Sequence, residues 1–209
     1  MTRPRCSRWK PRLMTAALLF MMMGCATTPP ANFYVLNPLS GLARNEQVVP
    51  RPPGDLYVGV GPVKIPDYLD RVQIVTRSGG TTVQMSEYHR WSEPLDKSLE
   101  RIIAQNLTDL LASDNVFLYP WPGARRVDYQ VVIEVKRFDG KPGDTVRLDA
   151  CWMLLSDGGK QVRLSRNSRI NEPVGGESFE ELVLSLSRAA AKLSREIAMA
   201  VVEDLPHLN

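Results

Sequence analysis

The sequence predicts an α+β domain in which a mixed β-sheet, ending in an antiparallel meander, is packed by two amphipathic helices. Apolar residues recur at spacings of three and four over about 95–112 and again over 178–204, with no Gly or Pro inside either stretch. After residue 125, three segments alternate apolar and polar residues and are joined by short links containing glycine, which predicts the meander. A chain of 209 residues holds one such domain, or two small ones. Its 44% apolar and 23% charged composition is ordinary for a globular protein and excludes collagen-like, disordered and polytopic membrane classes.

Charge is unevenly spread. Arg3, Arg5, Arg8, Lys10 and Arg12 precede residue 25, and no acidic residue does. Without those five, 21 of the 26 basic residues stand against 23 acidic ones, so the remainder carries a net charge of −2. A dispersed, slightly acidic body is poorly suited to nucleic acid, whose binding depends on neutralised phosphates.

The basic residues lead into Leu13–Met23, an uncharged apolar run. Eleven residues at a 1.5 Å rise cover about 16 Å, roughly half a hydrocarbon core, so the run reads as a secretory signal and not as a spanning helix. Met22-Met23-Gly24-Cys25 resembles a bacterial lipobox, departing from it at Met22, where leucine is usual. On that reading residues 1–24 are removed, cleavage falls between Gly24 and Cys25, and Cys25 takes diacylglycerol and an N-acyl chain. The plainer alternative is a non-lipidated signal cleaved nearby. Ala26 follows the cysteine where an aspartate often retains lipoproteins at the inner membrane, which favours the periplasmic face of the outer membrane. Residues 25–31 form a lipidated tether with two prolines, and its six residues after Cys25 reach only about 20 Å. The single domain is then 32–209.

Phe33–Leu36 opens that domain as a short strand, and the Pro-rich Leu39–Gly54 reads as an exposed loop before a strand at Leu56–Val60. Arg71–Thr76 and Thr81–Met85 flank Arg77-Ser78-Gly79-Gly80, a hairpin signature. Ser92 is placed to cap the first helix, whose stripe runs from Leu95 through Leu99, Ile102, Ile103 and Leu107 to Leu111 and leaves Lys97, Glu100, Arg101 and Asp109 outside. Val116–Tyr119 is a short strand ended by Pro120-Trp121-Pro122-Gly123. The meander follows as Tyr129–Lys136, Val146–Leu155 and Val162–Ile170. In the last helix Glu177, Glu180 and Glu181 suit the N-terminal dipole, whereas Glu203 and Asp204 sit at the wrong end for it. Fraying, or a partner supplying positive charge, would resolve that mismatch.

Catalytic signatures are sparse. Gly59-Val60-Gly61 begins like a dinucleotide fingerprint, but the third glycine is missing and Pro66 forbids the helix. With Cys6 removed and Cys25 acylated, Cys151 is left without a disulfide partner and reads as core. His89 and His207 are the only histidines, too few for a metal site without clustered carboxylates. Asp67 and Asp70 form a carboxylate pair that fits acid–base work or a solvated turn. Tyr88, Arg90 and Trp91, together with Trp121, are the residue types that dominate protein interfaces, and are candidate partner contacts; Trp91 also suits a loop packed over the first helix turn.

The lipobox, Phe33-Tyr34-Val35-Leu36, Val58-Gly59-Val60-Gly61-Pro62-Val63, the run from Pro66 to Arg77, and Arg90-Trp91-Ser92-Glu93-Pro94-Leu95 together resemble the ABC-type transport auxiliary lipoproteins. Ser92 stands where the family often has alanine. The resemblance implies a non-enzymatic docking component, without cofactor, that forms a ring of identical copies at the outer membrane. Its implied partners are an MCE-domain periplasmic protein, the channel for lipids between the membranes, and that protein's inner-membrane transporter. Two other functions are compatible with the residues: a periplasmic lipid or cell-wall hydrolase using carboxylates near Asp67 and Asp70, and an accessory lipoprotein of envelope assembly or secretion.

Overall fold

The computed structural model describes residues 29–41, 49–50, 52, 55–121 and 126–207. The expected signal segment, Cys25, most of the tether, most of the Leu39–Gly54 loop and Pro122-Gly123 lie outside them. Within the unit Ala31–Asn209 the elements run in order β1 (Asn32–Tyr34), β2 (Val58–Lys64), β3 (Gln73–Arg77), β4 (Val83–Trp91), α1 (Leu95–Leu111), β5 (Val116–Leu118), β6 (Tyr129–Gly140), β7 (Thr145–Ser156), β8 (Gln161–Pro173) and α2 (Phe179–Asp204). The predicted α+β class holds: one mixed sheet of eight strands and two helices, with β6, β7 and β8 as the antiparallel meander.

The sheet forks at β6. One edge of this 12-residue strand pairs with β7 along nearly its whole length, and β8 follows. On its other edge the first half, Tyr129–Glu134, takes β2 in parallel, with β5 beyond. At its far end Gly140 meets Thr76 of β3, where the second branch, β3–β4–β1, begins. A long strand feeding two branches is what lets eight strands form one sheet here.

Both helices cover one face, α1 against β2 and β5, α2 against β6 to β8, and they pack on each other. Alternation dictates which side chains they bury: Val131 and Ile133 on β6 and Val146, Leu148, Trp152 and Leu154 on β7 are fully enclosed. At about 25 cal/mol per Å2, each large side chain so enclosed contributes roughly 1.5–3 kcal/mol. Ala189, Ala190, Ala198 and Ala200 keep the buried side of α2 thin enough for close approach. Ser178 caps α2 through its Oγ, which accepts the Glu181 N–H at 3.2 Å.

The start of α1 differs from expectation. Pro94, not Ser92, occupies the cap position, no side chain caps the helix, and Trp91, which suited a loop, is the last residue of β4, paired with β1. Glu100, expected on the solvent side, is 3% exposed because the helix packs on β2, where Gly61 comes close to it. Cys151 is half-buried on the face opposite the helices, since it alternates with the enclosed Ala150 and Trp152. The acidic end of α2 finds its positive charge within the chain: Arg163 of β8 pairs with Asp204 at 2.9 Å and Arg166 with Glu203 at 3.1 Å.

Candidate functional site

The chain enters the fold through β1, which lies parallel to the end of β4 and terminates the sheet on that branch. Phe33 and Val35 are 63% and 47% exposed, whereas Tyr34, between them, turns inward. The Tyr34 hydroxyl lies 2.8 Å from Nδ1 of His89, and the His89 ring stacks on Phe179 of α2 with centroids 3.8 Å apart. Burial, then the charge of Glu180, push the Tyr34 hydroxyl above its ordinary pKa, so it stays protonated in this contact. Polar side chains of the helices hold the segment after β1: Asn106 accepts the Leu39 N–H at 2.7 Å and donates to Ser194 at 3.1 Å, and Ser187 accepts the Asn37 N–H at 3.0 Å.

The four candidate interface residues separate. Tyr88 is exposed and Arg90 half-buried, both near β1 on the outer strands. Trp91 is 5% exposed and belongs to the hydrophobic core, so its side chain is not a surface contact but a packing one. Trp121 follows β5 on the opposite branch, and its indole lies against Gly59 of β2 so closely that a Cβ there would collide with the ring. Tyr119 meets it edge-on at 5.7 Å. That contact explains Gly59, and Gly61 has φ +111° as well as the approach of Glu100, so the Gly-x-Gly pair serves packing and not a dinucleotide.

Asp67 and Asp70 are exposed in the turn before β3, and of the two side chains between them Leu69 is buried and Tyr68 has a buried polar partner. Tyr68 donates its hydroxyl to Asp139 at 2.8 Å. Arg77 donates Nε and Nη to the same carboxylate at 2.9–3.2 Å, and Arg137 donates Nε at 2.9 Å. Asp139 is fully enclosed on β6, at the point where the two branches part. Burial alone would raise its pKa, but the bonds from Arg77, Tyr68 and Arg137 outweigh it and hold the carboxyl below the usual range. Burial, then the bond to Asp139, push the Tyr68 hydroxyl up to about 12. The node therefore carries a fixed carboxylate and fixed guanidinium charges across the whole physiological range, which suits positioning and not proton transfer. Among the described residues no group of three His, Cys, Asp or Glu side chains is arranged to hold a metal ion.

Sequence reasoning missed Asp139, Asn106 and Glu100. The only available signal was indirect: Arg137-Phe138-Asp139 continues an alternating strand past Lys136, so a charged residue there had to be paired or exposed.

A family model described as ABC-type transport auxiliary lipoprotein component matches residues 34–198. The intermembrane transport lipoprotein PqiC of Escherichia coli strain K12 is 24% identical over 148 residues, which cover 69% of this chain and 76% of that protein; the Shigella flexneri protein of the same name matches equally. Among solved structures, a Xanthomonas campestris protein aligns with a TM-score of 0.66 at 18% identity, covering 83% of this chain and 95% of that one. A structure described only as an uncharacterized protein aligns with a TM-score of 0.64 at 20% identity, covering 83% and 99%. At these identities the two structures speak for the fold alone.

Proposed function

Because the chain belongs to the ABC-type transport auxiliary lipoprotein component family, we propose that it is a non-enzymatic docking component of an intermembrane lipid-transport system. In this reading diacylglycerol and an N-acyl chain on Cys25 hold the domain at the periplasmic face of the outer membrane. Each buried methylene contributes about 0.8 kcal/mol, and two or more chains anchor stably. There the domain, as a ring of identical copies, seats an MCE-domain periplasmic protein served by an inner-membrane transporter.

The observation that carries the reading is the place where the chain enters the fold. Cys25 lies seven residues before Asn32, so the anchor leads directly into β1. β1 is a terminal strand of the sheet with Phe33 exposed, as is Val35 just after it, and Tyr88 and Arg90 on the neighbouring strand. An open strand edge with aromatic side chains supports pairing with another chain. Confinement to a surface raises the effective concentration of that edge for a partner crossing the periplasm.

Photoreactive amino acids placed at Tyr88 and Trp121 in living cells test the proposal. Capture of the MCE-domain protein from Tyr88 is expected. If neither position captures it while the lipoprotein stays folded and anchored, the docking role fails. Mass spectrometry of the exported protein that finds Cys25 without acyl chains removes the anchor instead.

A further inference from the structure

We propose that the helix-free face of the sheet carries a phosphate-binding site built by Arg137 of β6 and Arg147 of β7. The strand register supplies the placement. Asp139 stands directly opposite Arg147, and Arg147 directly opposite Asn171 of β8. Arg137, two residues before Asp139, shares that face. An open cavity of about 300 Å3 is lined by Arg77, Arg137, Thr145, Arg147 and Asn171, with Asp144 the acidic residue of its lining.

The three guanidiniums are not equivalent. Arg77 gives Nε and one Nη to Asp139 and the other Nη to the Gly80 carbonyl at 3.4 Å. Arg137 gives only Nε to Asp139, and Arg147 only Nε to both oxygens of Asp149, at 2.8 and 3.0 Å. Among the described residues, the terminal nitrogens of Arg137 and Arg147 donate to no protein acceptor. Each carboxylate thus holds a fork by its side and leaves its end open. Two planar forks match the oxygens of a tetrahedral phosphate, whereas a carboxylate fills only one. Asp149 is shared with Arg169 at 3.6 Å, so four guanidiniums stand against Asp139, Asp144 and Asp149. No large apolar side chain lines the cavity, so it suits a headgroup or free phosphate, and an acyl chain has nothing there to bury against.

The test is titration of the full lipoprotein in nonionic detergent, following the arginine Nε–H resonances. The probes are inorganic phosphate and glycerophosphoglycerol, a lipid headgroup without its chains. Saturable binding in the millimolar range is expected. Arg137→Gln and Arg147→Gln should each weaken it at least about tenfold, the loss of one charge-assisted fork. Asp144→Asn, at an exposed position, should tighten it. Tighter binding of glycerophosphoglycerol supports a lipid headgroup as the ligand, and tighter binding of inorganic phosphate supports free phosphate. Absence of saturation with both probes, or saturation unchanged in both arginine variants, overturns the site.

Discussion

Asp139 on β6 and Glu100 on α1 are both buried carboxylates, 0% and 3% exposed, and the fold treats them differently. Asp139 receives Tyr68, Arg77 and Arg137, from a turn and two strands, and both of its oxygens are engaged. Glu100 has Lys97 at 3.0 Å on one oxygen, while the other has no hydrogen-bond partner and points at Gly61. Lys97 is itself 60% exposed, so that pair is screened by water. Removing a charge from water costs several kcal/mol, and only a complete partner set offsets it. Burial is therefore no measure of what a carboxylate contributes. The sheet fork is held by its carboxylate, whereas the contact of α1 with β2 is held in spite of one.

The largest expected effect follows at the fork. Asp139→Ala leaves Arg77 and Arg137 without their counter-charge and should destabilise the domain by about 3–5 kcal/mol in urea unfolding. A loss below about 1 kcal/mol would mean that the two regions do not differ in the way described. The pH dependence separates charge from packing. Because the folded Asp139 carboxyl lies below its unfolded value, its contribution is present above about pH 4 and lost as pH falls through the folded pKa. Asp139→Asn should flatten that acid limb. At the alkaline end, the raised Tyr68 hydroxyl contributes fully below about pH 10 and loses its contribution as pH rises toward 12.

On the β2 side the corresponding fastening is steric. The Trp121 indole occupies the space above Gly59, so Gly59→Ala should push the ring off and cost about 1–3 kcal/mol. A red-shifted tryptophan emission together with a lower urea midpoint is the expected result. An unchanged spectrum would show that the contact does not hold the Trp121 indole in place.

How much of this was legible in the sequence depends on the range of the interaction. Helix stripes and strand alternation are local patterns, which is why α1, α2 and the meander could be read from spacing alone. The fork could not, because it depends on Thr76 meeting Gly140 across 64 residues. Asp139 is bonded by residues 62 and 71 positions away. Arg163 and Arg166, which explain the acidic end of α2, lie 41 and 37 residues before their partners. Glu100 was misplaced, and Trp91 left open between two readings, for a related reason. Glu100 is of a type that is normally exposed, and the close approach of Gly61 that encloses it is not revealed by any periodicity. Trp91 suited both a surface contact and packing, and only the three-dimensional fold decides for packing.

The smallest effect is the sharpest check on the opening contrast. Glu100→Gln keeps the volume and removes the buried charge, giving up one ion pair with an exposed lysine. An exposed pair contributes about 0.2–1 kcal/mol, and relief of the incompletely compensated buried charge works in the opposite direction. The variant should therefore lie within about 1 kcal/mol of the parent in urea unfolding, of either sign. Asp139→Asn, the same chemical change at the fork, should exceed it several-fold because it removes the counter-charge of two guanidiniums and replaces one of two engaged acceptor oxygens by a donor. Equal losses in the two amides would show that burial, and not the partner set, decides what each carboxylate contributes.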